Sequence, residues 1–231
     1  MSEPLLLIPG LNCTAALFAP QRAVLGNDRE ILVADIGQDD TVAGLARRAL
    51  ADAPDRFALA GLSMGGYVSL EVLRQAPGRV TRLALLDTSA RPDSEEATQR
   101  RMRLIRIAEH GRFADVHPLL WDRLVAPARR SDRDLEGIVK GMMAQTGPEA
   151  FARQQRAIIG RMDSRPGLAA IAVPTLVVVG DQDAITPPAM ARELAEAIPG
   201  AELLEIADCG HLSTLEQPEV VNDALVRWLA A

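Results

Sequence analysis

Six short runs rich in apolar and β-branched residues recur along the chain, and longer stretches of helical character separate them. Strands that alternate with helices in this way form parallel sheets, because each helix returns the chain to the same edge of the sheet. The 231 residues, 48% of them hydrophobic, suffice for one α/β domain with a sizeable core. We therefore predict a mostly parallel, six-stranded, doubly wound α/β sheet. Its strands are Leu5 to Ile8, Glu30 to Ala34, Arg56 to Ala60, Val80 to Leu86, Thr175 to Val179 and Glu202 to Ile206.

The alternation stops after the fourth predicted strand, where some 78 residues, 91–168, contain no convincing strand. Ser94 with its acidic neighbours predicts a capped helix start, and two further helices are predicted at Asp134 to Met143 and Glu149 to Ile159. Gly147 and Pro148 are expected to separate those two helices. We predict a core of residues 1–90 and 169–231, with residues 91–168 inserted as a helical lid or cap.

A lid at this point of the chain lies over the carboxyl edge of the sheet, where open α/β sheets bind ligands. Its large apolar residues are therefore candidates for a substrate pocket. An alternative is that they only fill the space between the lid helices. These candidates are Leu120, Trp121, Met142 and Met143.

The pentapeptide Gly61 to Gly65 places Ser63 at a sharp turn between the third strand and a helical run from Tyr67 to Gln75. The flanking glycines leave room for a tight turn, so the serine hydroxyl can project away from the backbone. The helix beginning at Met64 contributes backbone N–H groups and the positive end of its dipole. Ser63 is thus the candidate nucleophile, the alternative being a loop serine that caps a helix.

A serine nucleophile requires a base and an acid that orients the base. Asp183 follows the fifth strand and is the predicted acid, although Asp181 and Asp87 also stand near strand ends. His211 follows the sixth strand, beside Gly210, and is the predicted base. His110 and His117 fall in the predicted lid and are weaker candidates. The order serine, acid, histidine is the one expected when three loops of such a sheet converge.

These motifs, with the Pro9-Gly10-Leu11-Asn12 loop after the first strand, extend over nearly the whole chain. Together they resemble the α/β-hydrolase fold superfamily, in particular its small lidded carboxylesterases, including carrier-protein methyl ester esterases. The resemblance implies an oxyanion hole formed by the backbone N–H groups of Leu11 and Met64. Ile185 and Leu212, close to the acid and the histidine, are two further candidates for the substrate pocket.

The resemblance implies a serine hydrolase that cleaves carboxylic esters through an acyl-enzyme intermediate and needs neither a cofactor nor a metal. Three alternatives stay open. The first is a hydrolase or lyase of the same fold that acts on carbon–carbon bonds, the second is a thioesterase, and the third is a non-catalytic ligand receptor. The small molecule acted on is expected to be an ester.

Composition narrows the possible partners. A net charge of −6 argues against nucleic acid, and the three histidines show no metal-ligand spacing. Cys13 and Cys209 are expected to be reduced thiols. The apolar run Leu5 to Ile8 is too short for a signal sequence or a membrane span, so we expect a soluble cytoplasmic protein.

Charge is unevenly distributed along the chain. Residues 91–167 hold 14 arginines and one lysine against 11 acidic residues, so they carry +4 while the rest of the chain carries −10. A basic lid is able to attract an acyl carrier protein or acyl-CoA, although arginines such as Arg100, Arg101, Arg129 and Arg130 are also typical of solvated helix faces.

Overall fold

Six strands form the centre of the computed structural model, which describes residues 2–230. Neighbouring strands all pair in parallel, in the spatial order second, first, third, fourth, fifth, sixth. The predicted parallel six-stranded sheet is thereby confirmed. The third strand is longer than predicted and includes Gly61 and Leu62. The strands are β1 (Leu5–Ile8), β2 (Ile31–Val33), β3 (Phe57–Leu62), β4 (Val80–Leu86), β5 (Thr175–Gly180) and β6 (Glu202–Ile206).

Helices and short helical turns connect the strands. The helices are α1 (Ala19–Leu25), α2 (Val42–Asp52), α3 (Met64–Gln75), α4 (Glu95–Glu109), α5 (Val116–Leu124), α6 (Arg133–Ile159), α7 (Pro188–Ala197), α8 (Ser213–Glu216) and α9 (Pro218–Ala230). Short 3-10 helices lie at Ala15–Phe18, Phe113–Asp115, Pro127–Arg129 and Arg165–Ala170. Within residues 2–230, no helix is both long and apolar enough to span a membrane.

Side chains of the central strands alternate between two hydrophobic clusters, one on each face of the sheet. In β1, Leu6 and Ile8 join the first cluster, whereas Leu5 and Leu7 join the second. Residues of α2, α3 and α7 complete the first cluster, and residues of α1 and α9 complete the second. Both faces are therefore covered by helices, as a parallel sheet requires and as the doubly wound prediction stated.

The helices α4, α5 and α6 all lie between β4 and β5, and the described residues between Leu86 and Thr175 include no strand. The Ser94 side chain accepts a hydrogen bond from the Ala97 N–H and caps α4. Gly147 interrupts α6 with a φ of 74° and a ψ of 165°, so this element is two helices joined at a kink. We call residues 91–168 the helical insertion. The division at 90/91 and 168/169 stays a prediction.

Candidate active site

Ser63 lies at the junction of β3 and α3 with a φ of 56° and a ψ of −113°, a strained conformation for a residue with a side chain. Both flanking glycines are required by close backbone contacts. A Cβ on Gly61 would collide with the Gly65 carbonyl, and a Cβ on Gly65 would collide with the Ile8 carbonyl at the end of β1. The Thr88 hydroxyl donates a hydrogen bond of 2.7 Å to the Ser63 carbonyl and helps to hold the turn.

His211 lies in the loop after β6, and its two ring nitrogens contact the two other predicted site residues. Its Nε2 is 2.8 Å from Ser63 Oγ, and its Nδ1 is 2.7 Å from Asp183 Oδ2. Because an ionised carboxylate only accepts hydrogen bonds, Nδ1 carries the proton and Nε2 is left to accept one from the serine hydroxyl. The structure therefore places Ser63, His211 and Asp183 in one hydrogen-bonded series.

Asp183 is fixed by the short segment that follows it. Its Oδ1 accepts the backbone N–H groups of Ile185 at 2.7 Å and Thr186 at 2.9 Å, and the Thr186 hydroxyl donates to its Oδ2. Burial alone would raise the pKa of Asp183, but His211 and these donors hold that pKa below its ordinary value. The alternative Asp181 is exposed and accepts the Cys209 N–H instead.

Asp87, the other alternative acid, is fully buried at the end of β4. Its carboxylate accepts the Gly180 N–H and the Ser213 hydroxyl, so it braces the loops around His211 and forms no hydrogen bond to the imidazole. Burial and the nearby Asp183 raise the pKa of Asp87 to about 8. Burial would lower the pKa of His211, but the carboxylates of Asp183 and Asp87 raise it above its ordinary value.

The His211 loop is held by a buried carboxylate that the sequence did not single out. Glu216 accepts the N–H groups of Gly210 and Leu212 within the loop, at 3.1 Å each, and the N–H of Ala126 in the helical insertion at 2.8 Å. The His211 N–H donates to the Leu124 carbonyl at 3.1 Å. No local pattern points to Glu216, which follows the mixed polar and apolar run Leu212 to Leu215. Its burial raises its pKa.

The other two histidines lie apart from this series. His110 is exposed and its Nδ1 is 2.7 Å from the Arg106 carbonyl oxygen. His117 is buried beside the cavity described below, with its Nε2 3.1 Å from Glu136. Within residues 2–230, no group of three or more histidine, cysteine or acidic side chains is arranged to hold a metal ion.

A cavity of about 840 Å³ opens above Ser63 and His211, and we call it the Ser63 cavity. Of the predicted pocket residues, Leu120, Met143, Ile185 and Leu212 line this cavity. Trp121 and Met142 do not line it, because each is one helix position, about 100°, away from a lining residue. They pack in the second hydrophobic cluster, and Trp121 Nε1 donates to the Arg130 carbonyl.

The residues implied as an oxyanion hole lie at the same edge of the sheet. Leu11 lines the Ser63 cavity, and a Cβ on Gly10 would lie 3.5 Å from the Ser63 Cβ, so this loop runs beside the serine. The Leu11 N–H has no acceptor among residues 2–230. Met64 is the first residue of α3. Cys13 also lines the cavity, and burial raises the pKa of its thiol to about 12, so it stays protonated.

Residues 5–224 match the model of the alpha/beta hydrolase family, and the chain belongs to this family. A thermophilic esterase from Thermogutta terrifontis, solved with malate bound, is 30% identical, with a TM-score of 0.91 over 100% of this chain and 90% of that one.

Two curated relatives match over smaller parts of the chain. The pimeloyl-[acyl-carrier protein] methyl ester esterase of Aromatoleum aromaticum is 29% identical over 74% of this chain and 72% of its own length. A 66-residue stretch is 42% identical to a Mycobacterium tuberculosis protein named as a non-heme bromoperoxidase, and it covers 29% of this chain and 25% of that one.

Proposed function

We propose that this chain is a serine hydrolase that cleaves carboxylic esters, with Ser63 as nucleophile, His211 as base and Asp183 as the acid that orients it. The observation that carries this proposal is the unbroken hydrogen-bonded series from Asp183 through His211 to Ser63 Oγ. A serine hydroxyl is a weak nucleophile until a neighbouring base takes its proton, and this series supplies the base.

In the proposed mechanism, His211 Nε2 accepts the Ser63 proton as Ser63 Oγ attacks the acyl carbonyl. The N–H groups of Leu11 and Met64 donate to the oxyanion of the tetrahedral intermediate, a contribution of about 10²- to 10³-fold in turnover for each such donor. His211 then protonates the leaving alcohol. A water molecule, deprotonated by His211, then attacks the acyl carbonyl, and His211 returns this proton to Ser63 Oγ as the acyl–Oγ bond breaks and the acid is released. The helical insertion covers the Ser63 cavity as a lid.

Two observations bear on the alternative functions. The esterase relatives favour an ester over a thioester or a carbon–carbon bond. Arginines of the helical insertion do line the Ser63 cavity, and this favours a carbon–carbon hydrolase acting on an acidic diketone as the second candidate. A carrier-protein ester stays the narrower form of the esterase proposal, because one relative bears that name. A non-catalytic receptor would have no use for the base held against Ser63.

The test is hydrolysis of a short 4-nitrophenyl ester by the purified protein and by its Ser63→Ala variant. We expect the variant to lose activity by about 10⁴-fold or more, because serine knockouts in such triads remove covalent catalysis altogether. A fluorophosphonate probe should label the wild-type protein and not the variant. Retention of ester hydrolysis by Ser63→Ala would contradict the assignment of the nucleophile. The same comparison with a thioester and a diketone acid would rank the alternatives.

A further inference from the structure

The wall of the Ser63 cavity is rich in arginine on the side formed by the helical insertion. Among the described residues that line the cavity, Asp93 is the one acidic side chain. Three of these arginines pair with other carboxylates: Arg91 with Glu193, Arg100 with Glu96, and Arg165 with Asp163. The lining arginines are Arg91, Arg100, Arg101, Arg103, Arg123, Arg161 and Arg165.

Arg101 and Arg161 share a single carboxylate. Arg101 Nε lies 2.6 Å from Asp93 Oδ2, and Arg161 Nη1 lies 2.7 Å from Asp93 Oδ1. The side chains of Asp93 and Arg161 are only 4% and 7% exposed, so this group is largely removed from water. Burial would raise the pKa of Asp93, but the two guanidinium groups hold it below its ordinary value. Two cations against one anion leave a positive charge in a region where charge interactions are strong.

Together with Gln155, the residues Arg101, Arg161 and Asp93 form a cluster. Two sets of hydrogen-bond donors in this cluster lack partners. Gln155 is fully buried in the cavity wall, and its Oε1 accepts from Arg101 Nη1 at 2.9 Å, which fixes the orientation of the amide. The Gln155 Nε2 group has no hydrogen-bond partner in the described chain. Nor does Arg161 Nη2 find an acceptor among residues 2–230. A buried donor without a partner is destabilising, and an anion that accepts from it recovers that cost.

The cluster lies close to the reacting serine. The Arg161 guanidinium carbon is 4.3 Å from the centre of the Tyr67 ring, and Tyr67 follows Ser63 by about one turn at the start of α3. Tyr67 also lines the Ser63 cavity, so the arginine pair and the serine share one space. Apolar side chains such as Leu104, Ile107 and Ile158 line the same space. A short apolar chain with a carboxylate at its far end matches this arrangement.

We propose that the Ser63 cavity takes esters whose acyl part carries a carboxylate, and that Arg101, Arg161 and Gln155 bind this carboxylate. This proposal rests on the esterase function proposed above. It assigns the substrate class by charge: the ester carbonyl reacts at Ser63 while the remote carboxylate occupies the unpaired donors. The excess charge shared with Asp93 gives the attraction, and the apolar wall accommodates the intervening carbons.

The test compares two esters with the same leaving group, mono(4-nitrophenyl) glutarate and the neutral 4-nitrophenyl pentanoate. We expect the wild-type kcat/KM to be at least about tenfold higher for the glutarate ester, as one charge-assisted hydrogen bond provides. Removing either arginine would leave Asp93 buried with fewer partners, so the variants are made at Gln155. In Gln155→Glu the new carboxylate occupies the site, and the preference should fall towards onefold. Gln155→Leu removes the amide without adding charge, so it should reduce the preference for the glutarate ester by less than Gln155→Glu does.

The matched control is Arg106→Gln, which removes one positive charge from an exposed position on α4 outside the cavity wall. Its preference for the glutarate ester should equal that of the wild type. Equal kcat/KM for the two esters in the wild type, with hydrolysis still dependent on Ser63, would overturn this proposal and leave the esterase assignment intact.

A binding measurement tests the carboxylate site on its own if neither ester is hydrolysed. Glutarate is titrated calorimetrically into Ser63→Ala and into the double variant with Gln155→Glu. At least about tenfold weaker binding to the double variant supports the carboxylate site whether or not any ester is hydrolysed. Equal binding, or none to Ser63→Ala, overturns it.

Discussion

The loops at the carboxyl ends of the strands and the helical insertion both contain buried charges, but they use them differently. In the strand-end loops, Asp87, Asp183 and Glu216 each accept several hydrogen bonds from nearby backbone or hydroxyl groups. In the helical insertion, Arg101 and Arg161 share Asp93 and leave donors unpaired. The carboxyl groups of the first region have their hydrogen bonds satisfied within the fold, whereas the second region is positive and incompletely satisfied.

On the two proposals above, this difference separates the positioning of the catalytic base from the recognition of the substrate. A catalytic base works when its geometry is fixed before the substrate arrives, and the bonds around His211 supply that fixation. A recognition site needs donors that the protein itself does not use, and the arginine-rich side of the Ser63 cavity retains such donors. The two regions meet where Ala126 and Leu124 of the insertion bind Glu216 and the His211 backbone. We expect substitutions in the loops to affect turnover and substitutions in the insertion to affect substrate preference or stability.

The largest effect is expected for Asp183→Asn, which removes the orienting carboxylate from the strand-end loops. The amide leaves His211 in the wrong tautomer, so kcat should fall by about 10⁴-fold. Because Asp183 raises the pKa of His211, and only neutral His211 can accept the Ser63 proton, the acid limb of residual activity should also move to lower pH. The measurement is a pH profile of kcat/KM beside Asp181→Asn as control. A control that loses as much as Asp183→Asn would break the assignment of the acid.

In the helical insertion, the neighbouring residues Leu120 and Trp121 of α5 are expected to respond differently to truncation. Trp121 is 7% exposed and packs in the second cluster, so Trp121→Ala should lower the free energy of unfolding by about 3–5 kcal/mol. Leu120 lines the Ser63 cavity, so Leu120→Ala should raise KM for a 4-nitrophenyl ester with a smaller loss of stability. Denaturant unfolding and steady-state kinetics on both variants make the comparison. The reverse pattern would show that Trp121 contacts substrate.

The residues of the candidate site differ in how far the sequence alone can identify them. Ser63 and His211 each follow a strand within a few residues, so local pattern and chain order were enough to select them. Asp181 and Asp183 follow the same strand, and the family spacing to Gly180 and Pro187 favours Asp183. Leu120 and Trp121 could not be separated, because both are large and apolar, and the phase of α5 relative to the cavity depends on tertiary packing. The hydrogen bond between Arg101 and Gln155 joins residues 54 apart, and the Glu216 bond to Ala126 joins residues 90 apart. Contacts at that distance leave no local pattern.

Glu216 lies where the strand-end loops meet the helical insertion, and its substitution is expected to lower kcat by an intermediate amount. Glu216→Gln keeps the size of the side chain but turns one accepting oxygen into an N–H group that faces the donors Ala126, Gly210 or Leu212. The His211 loop should loosen, and kcat should fall by about 10- to 100-fold with KM changed less, since a misplaced positioning group costs that much. Unfolding curves check that the variant is folded. Glu219→Gln, at the exposed start of α9, is the control. A rise in KM with kcat unchanged would assign Glu216 to recognition.

The smallest effect is expected for Asp87→Asn, which removes the second carboxylate near His211. Asp87 raises the pKa of His211, so its loss should shift the acid limb of kcat/KM to lower pH, in the same direction as Asp183→Asn. The shift should be the smaller of the two, because Asp87 has a pKa of about 8 and is mostly protonated below that pH. Asp87 braces Gly180 and Ser213 without touching the imidazole, so kcat on the plateau should change little beside the loss in Asp183→Asn. A loss in kcat as large as that of Asp183→Asn would show that His211 depends on both carboxyl groups, and it would contradict the role of Asp87 as a brace alone.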